Sequence, residues 1–290
     1  PYLITEILSS NIGGTATLIG DPPNIIIGSA AGFSFMDFLR ELTGIVAVIL
    51  LLVVFVMYLF FRKHLKASPD KMEEIANLDN SKTIKDKAGM IRSICVLALV
   101  ILGFVTHDMT HIPASLSAMA GASFLLLFEN PKNIIKDVEW NTIFFFIGLF
   151  IIIGGLEASG GIALMAKWLL DVTHGSESAT AMVILWGSGI LSGIIDNIPY
   201  TVTMAPMIAN IQSVMGAEYA HPLWWCLSLG ACLGGNLTII GAAANVIVSE
   251  SAAARKHPIS FMQFLLYGFV TVLISLTAST VYIYFRFLVH

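Results

Sequence analysis

Charge is what this sequence has least of. Asp, Glu, Lys and Arg make up 12% of its 290 residues, about half the share found in an ordinary soluble domain. With 57% hydrophobic residues and a mean hydropathy of +0.84, that scarcity excludes a soluble globular class and predicts a polytopic membrane protein. The sequence also lacks the segments of about ten residues alternating in polarity that mark a transmembrane β-barrel, so the bundle is read as all-α. Cysteine is scarce: Cys95, Cys226 and Cys232 sit in apolar stretches without metal-ligand or redox spacing and read as small packing residues. A signal peptide and an initiator Met are both missing, and the chain opens at Pro1 beside a polar stretch. No nucleic-acid partner and no organic cofactor are expected, and the net charge of −4 carries no partner information of its own.

Long apolar runs are what it has in plenty. Leu42–Phe61, Ser93–Thr106, Ser115–Phe128, Thr142–Leu156 and Leu265–Tyr284 approach or reach the roughly 20 residues that cross a hydrocarbon core as a helix. Eight of the 15 Lys and Arg residues, namely Arg62, Lys63, Lys66, Lys71, Lys82, Lys85, Lys87 and Arg92, crowd into or flank one polar segment. That segment, residues 63–92, reads as a cytoplasmic linker. It separates 1–62, the end of a first membrane unit, from 93–290, a second. If 177–215 enters and leaves on one side as a hairpin bent at Pro199, then Lys132, Lys136, Arg255 and Lys256 also fall inside. Twelve of the 15 positive charges are then cytoplasmic, and the C-terminus lies outside a cell membrane crossed several times.

One stretch repeats. Residues 13–31, GGTATLIGDPPNIIIGSAA, align with 234–252, GGNLTIIGAAANVIVSESA, at a constant offset of 221, with eight of 19 positions identical. Each copy is followed by a similar phrase, FSFMDFL (33–39) and ISFMQFL (259–265), read as a surface arm, and then by a spanning helix. The first copy runs outward and the second, inside 222–253, runs inward, so the repeats are inverted, as in many secondary transporters. Gly-Gly and Gly-Asp-Pro-Pro-Asn cannot sustain continuous helical bonding. Such backbone is tolerated in a membrane only where it is buried in protein or lines a wet cavity, and its freed groups and half-helix dipoles make an ion site. The hairpin adds Asp196, Asn197, Pro199 and Thr201 at its tip. By the repeat offset its counterpart falls before Pro1, so the expectation is a fragment lacking the N-terminal part of the first repeat.

Four motifs in order, SNIGGTATLIGDPPNIIIG, VEWNTIFFFIGLFIIIGGLE (138–157), DNIPYTVTMAPMI (196–208) and GGNLTIIGAAANVIVS (234–249), resemble the ion transporter superfamily. The wording is most similar to its arsenite permease and melanosomal P-protein branch, related to citrate and dicarboxylate carriers. The resemblance implies a homodimer with fixed scaffold helices and a transport domain of hairpins and broken helices. That domain moves elevator-fashion, carrying substrate with Na+ or H+. It places substrate and ion binding at Gly14, Thr15, Thr17, Gly20, Asp21, Pro22, Asn24, Asp196, Asn197, Thr201, Asn236, Thr238, Gly241 and Asn245. Na+ is expected among Asp21, Asn24, Asp196, Asn197 and Asn245. Two departures matter: Asp196 stands where the dicarboxylate carriers have Ser, and Ala242-Ala243-Ala244 in the second break replaces Asp21-Pro22-Pro23 in the first, so the two sites are not chemically equivalent.

The polar residues divide by setting. Asp21 and Asp196 read as functional, because intramembrane carboxylates are costly. Asn24, Asn197, Asn236 and Asn245 read equally as ligands or as caps of broken backbone. Glu157 and Glu250 read as helix-end residues reaching the interface. His107, Asp108 and His111 read as a solvated turn. Gly148, Gly154 and Gly155 read as close-packing positions, and Trp140, Trp168, Trp224 and Trp225 as interfacial anchors. The function expected is secondary transport of a small anion, oxyanion or arsenite-like metalloid coupled to Na+ or H+, with membrane lipid around it and no enzymatic activity. A Na+/H+ antiporter or a citrate or dicarboxylate carrier are alternatives within the superfamily. A channel and an intramembrane aspartyl protease are the rivals outside it, though Leu18-Ile19-Gly20 before Asp21 lacks the Gly-x-Gly of such a protease.

Overall fold

The computed structural model describes residues 1–63, 84, 86–128, 136, 138 and 140–289. Most of the expected linker and the loop carrying Lys132 lie outside the described residues, as does the side chain of Asp108. The described elements are all helical. In chain order they are α1 (Tyr2–Thr15), α2 (Pro22–Ala31), α3 (Phe35–Phe61), α4 (Lys87–Val105), α5 (His107–Thr110), α6 (Ala114–Leu126) and α7 (Trp140–Ala158). There follow α8 (Gly161–Val172), α9 (Glu177–Ile195), α10 (Asn197–Met215), α11 (Ala217–Gly234), α12 (Ala243–Ala254) and α13 (Phe261–Ile283). By length and composition α3, α4, α7, α9 and α13 suffice to cross a membrane.

The two repeats lie antiparallel. At one face Glu41, near the start of α3, accepts from Arg286, just past the end of α13, at 2.9 and 3.1 Å, and Tyr282 of α13 donates to the Glu41 carbonyl. At the other face Phe61, ending α3, meets Tyr267, near the start of α13, with ring centroids 4.7 Å apart. The broken helices follow suit: Phe33, beyond α2 at the end of the first, stacks on Trp225, midway along α11 in the leading half of the second, at 4.5 Å. Two elements of like sequence running in opposite directions are the physical content of an inverted repeat.

The phrases read as surface arms are helix starts. Ser34 Oγ accepts from the Asp37 N–H at 3.2 Å while the Ser34 N–H donates to Asp37 at 2.8 Å, a capping box that lets α3 run unbroken from Phe35. Ser260 accepts likewise from the Gln263 N–H at 3.1 Å. The hairpin also turns earlier than expected. Its break falls at Asp196, not Pro199, because proline is accommodated in the first turn of a helix, where α10 has it.

Close packing concentrates where α9 meets α11. A methyl group on Gly234 would strike the Gly189 carbonyl and Ser192 Oγ, one on Gly193 would strike Leu237 and the Gly234 carbonyl, and one on Gly230 would lie 2.6 Å from the Leu185 carbonyl. Lipid tails are as apolar as leucine, so such backbone contact, not apolar burial, drives helix association in a membrane. Gly148, Gly154 and Gly155 correct the sequence reading: open space surrounds them among the described residues, on an α7 whose only buried side chain is Ile153. Trp224 and Trp225 are a second correction. Both are buried, held by Trp224 Nε1 donating to Gln212 at 2.9 Å and by the Phe33 stack, whereas Trp140 and Trp168 are exposed. Cys95 is exposed rather than packed.

Gly234→Ala should therefore destabilise the protein by about 1–3 kcal/mol, the usual cost of overpacking, while Gly154→Ala stays within about 0.5 kcal/mol of wild type. Fluorescence-monitored unfolding in detergent checks this, and equal shifts for the two variants would contradict the seam.

Candidate functional site

Each broken helix folds its break the same way. The chain leaves α1 after Thr15 and α11 after Gly234, then re-enters helix through an extended residue, Asp21 (φ −143°, ψ 134°) or Ala242 (φ −153°, ψ 147°). The glycines common to both repeats let the two ends of each break touch. A methyl on Gly14 would meet the Gly20 carbonyl and the converse also holds, and Gly235 and Gly241 repeat the contact at 3.0 and 2.6 Å. Gly14, Gly20 and Gly241 are thus positions of close backbone approach.

The conserved chemistry of the two copies is an asparagine amide. Asn24 Nδ2 donates to the Thr15 and Thr17 carbonyls, each at 3.0 Å. Asn245 Nδ2 donates to the Gly235 and Thr238 carbonyls, each at 2.8 Å. The Thr15 and Gly235 carbonyls lose their helical partners at the breaks, while those of Thr17 and Thr238 also accept from the Gly20 and Gly241 N–H groups at 3.3 and 3.2 Å. The carbonyl oxygens of the same amides reach across to the opposite repeat. Asn24 Oδ1 accepts from Ser228 at 2.6 Å and from the Cys232 thiol at 3.3 Å. Asn245 Oδ1 accepts from Asn11 Nδ2 at 2.7 Å. At the offset of 221 Asn11 corresponds to Cys232, so the two bonds form one reciprocal clasp written with different atoms. Asn11 Nδ2 also donates to Asn236 Oδ1 at 2.9 Å, and Asn236 Nδ2 donates to the Leu8 carbonyl at 3.3 Å. Asn24, Asn236 and Asn245, all wholly buried, hold backbone together in this arrangement.

Between the breaks lies a cavity of about 120 Å³, lined by Ser10, Asn11, Gly20, Asp21, Pro22, Asn197, Ile198 and Ala242–Ala244. Asp21 is 9% exposed, and its carboxylate accepts long bonds, 3.3 and 3.4 Å, from Asn197 Nδ2 of the hairpin tip, with the Cys232 thiol as a further neighbour. An N-cap carboxylate ordinarily accepts from its own helix. Here the first two residues of α2 are Pro22 and Pro23, which have no N–H to give. Among the described residues the ion pairs are Arg92 with Asp86 and Arg286 with Glu41, so Asp21 faces no cationic side chain. Asn11 orients the other acceptor. Because Asn245 and Asn236 present their oxygens to it, its NH₂ must face them, which leaves Asn11 Oδ1 beside the cavity without a partner among the described residues.

The other expected residues play supporting parts. Asp196 sits outside the cavity lining with φ +100°, a conformation costly for a residue with a side chain, and its Oδ1 accepts from the Ile198 N–H at 2.9 Å to start α10. Thr201 Oγ1 donates to the Asn197 carbonyl at 2.7 Å, and Thr15 Oγ1 to that of Asn11 at 2.9 Å. Thr238 Oγ1 donates to the Gly193 carbonyl at 2.6 Å, tying the second break to the hairpin. Thr17 contributes its backbone carbonyl. Asn11 and Cys232, neither of them among the expected site residues, carry a signal only once the offset is extended two residues upstream of Gly13. His107 is fixed in its turn by Nδ1 at 2.7 Å from the Ile112 carbonyl, and Glu157 and Glu250 are exposed.

Truncating Asn245 to Ala orphans the Gly235 carbonyl, since that of Thr238 keeps the Gly241 N–H at 3.2 Å, and Asn24→Ala likewise orphans the Thr15 carbonyl while that of Thr17 keeps the Gly20 N–H at 3.3 Å, so each variant should lose about 1–3 kcal/mol in thermal or denaturant unfolding. Asn11→Ala combined with Asn245→Ala should fall short of additivity by roughly 0.5–3 kcal/mol. Strict additivity would deny the clasp.

Comparison with known proteins identifies the family. The citrate transporter family, CitMHS, matches residues 1–230. An uncharacterized transporter of Mycobacterium tuberculosis is 40% identical over 99% of this chain and 68% of its own length. The 46 kDa membrane protein of Mycobacterium leprae is 39% identical over 100% of this chain and 68% of its own. The mouse P protein is 30% identical over 97% of this chain and 43% of its own length. An all-helical chain with several membrane-length apolar helices, matched over most of its length, belongs to the citrate transporter family of membrane transporters.

Proposed function

We propose that this chain forms the translocating core of a cation-coupled secondary transporter. It moves a small anion, oxyanion or arsenite-like metalloid with Na+ or H+ by alternating access. The observation that carries the reading is Asp21, a buried carboxylate held only loosely by Asn197 beside a cavity between two broken helices. Intramembrane carboxylates without a cationic partner are expensive to keep and mark ion or proton pathways. A Na+ ion beside Asp21, Asn11 Oδ1 and Asn197, or a proton on Asp21, supplies the missing positive charge. Hard cations take oxygen ligands of this kind. Asn24 and Asn245 then support the site through the backbone they hold, and Asp196 aims the hairpin tip.

The same carboxylate favours Na+/H+ antiport as the second reading, in which the cation is itself the cargo. Citrate or dicarboxylate carriage fits less well, since no Lys or Arg lines the cavity. A catalytic pair of aspartates has no support: Asp21 and Asp196 share no hydrogen bond, and each is engaged with other groups. The homodimer, the elevator motion, the cytoplasmic linker and the outside C-terminus belong to this proposal, and the clasp between repeats suits a transport unit that moves as one body.

Asp21→Asn in the full-length protein reconstituted in liposomes should abolish substrate flux driven by a Na+ or H+ gradient. Asp196→Asn should keep most of it, because Asn caps a helix about as well as Asp. Wild-type flux in Asp21→Asn would sink the assignment.

A further inference from the structure

The helix that closes the second repeat carries polar groups its twin lacks. FSFMDFL and ISFMQFL align at an offset of 226, which sets α3 and α13 in register. Their buried faces then coincide. Val46 of α3 matches Val272 of α13, but Leu42, Ile49 and Val53 are replaced by Gly268, Ser275 and Ser279. Thr271, on the same face of α13, stands where α3 has Ile45. One repeat packs this face with aliphatic side chains, so the hydroxyls of the other are not a demand of the fold.

Thr271, Ser275 and Ser279 are wholly buried, and their hydroxyl oxygens have no hydrogen-bond partner among the described residues. A serine or threonine inside a helix can return its hydroxyl to the carbonyl four residues back. Thr277 and Thr280 of the same helix do this, to the Leu273 and Leu276 carbonyls at 2.7 and 2.8 Å. The buried three do not, and a buried hydroxyl left alone is costly. The row has a polar group at either end. Three residues before Thr271, Gly268 lies against the Asn236 and Leu237 carbonyls of the second break, which any side chain there would strike. Three residues after Ser279, Tyr282 donates to the Glu41 carbonyl beside the exposed Arg286. Positions 268, 271, 275, 279 and 282 follow the three- and four-residue steps of one helix face. They cover about 21 Å of helix, most of the roughly 30 Å of a hydrocarbon core.

We propose that Thr271, Ser275 and Ser279 bind a single file of buried water molecules, running along α13 from the Tyr282 end toward the second break. Side chains four apart on a helix have Cβ atoms about 5–6 Å apart. Hydroxyls at that spacing are too far apart to bond each other, and one water spans the gap with two bonds of about 2.8 Å. Helix carbonyls beside the row keep a second lone pair, which brings each water to the 2–4 bonds usual for buried water. Serine leaves the room that Ile49 and Val53 fill in α3. No ionisable group stands among the three, so the ligand is neutral, and water matches hydroxyls that both donate and accept. None of the three lines the cavity between the breaks, so this site stands apart from the transport reading.

The sign of a stability change tests this. Removing a hydroxyl that merely lacks a partner relieves its desolvation and raises the unfolding temperature, whereas removing one that holds water strips that water of a bond and lowers it. In the purified full-length protein Ser275→Ala and Ser279→Ala should each lower the unfolding temperature by about 2–4 °C. Thr277→Ala, which gives up only a bond to its own helix, should not lower it. Hydroxyl-radical labelling with X-ray pulses, which modifies side chains next to bound water, gives a direct readout. Val272 and Leu276 should be labelled, while Val46 and Leu42, equally buried on the matching face of α3, should not. Ser275→Ile combined with Ser279→Val copies α3 and should abolish the labelling; if that variant does not fold, the wild-type comparison and the alanine variants decide. A higher unfolding temperature in both alanine variants, or labelling of the α13 pair no greater than that of the α3 pair, would overturn the proposal.

Discussion

A backbone carbonyl inside a membrane has to find a donor, and in this protein two asparagine amides supply it. Breaking a helix in an apolar medium leaves N–H and C=O groups that water would otherwise satisfy, each at a cost of several kcal/mol. Asn24 and Asn245 meet that demand at the two breaks with paired amide bonds, to Thr17 and Thr238 at matching places and to Thr15 and Gly235 one place apart. Without the caps there is no stable gap between half-helices, and without the gap there is no polar cavity.

The same amides couple the repeats. Because each uses its oxygen on the opposite copy, by way of Asn11 in one direction and Ser228 and Cys232 in the other, the two broken helices cannot slide past one another without opening several buried hydrogen bonds at once. The glycine seam between α9 and α11, with Thr238 bonded to the Gly193 carbonyl, adds the hairpin to this block. By contrast α6 has no buried residue and α7 has one. Rigidity is concentrated around the cavity, and the apolar periphery is left to lipid or protein.

Much of this was legible in the residues. The offset of 221 exposed the inverted repeat because glycine and asparagine recur where backbone geometry tolerates nothing else. Asp21 was legible because a carboxylate amid Pro-Pro in an apolar run has no bland explanation. What escaped is instructive. Asn11 and Cys232 hold equivalent places with dissimilar side chains, so identity scoring passes over them, and only the fold reveals that an amide and a thiol do one job. Gly148, Gly154 and Gly155 looked like packing glycines because a small residue in an apolar helix carries the same letter whether it faces a neighbour or open space. Trp224 and Trp225 looked like anchors because tryptophan favours interfaces, yet α11 is the central helix and buries them. The phrases FSFMDFL and ISFMQFL looked like surface arms, whereas their Ser-x-x-Asp and Ser-x-x-Gln spacing is the better guide.

The long reach of the clasp bears on how the protein is made. Asn24 bonds to Ser228 and Cys232, 204 and 208 residues later in the chain, and Asn11 bonds to Asn245, 234 residues later. At the pace of a ribosome, roughly 5–20 residues per second, α1 and α2 wait on the order of ten seconds or more for these partners to be synthesised. Through that interval the first broken helix carries its asparagines half-satisfied in the membrane, a nascent segment in need of shelter that the finished protein no longer requires.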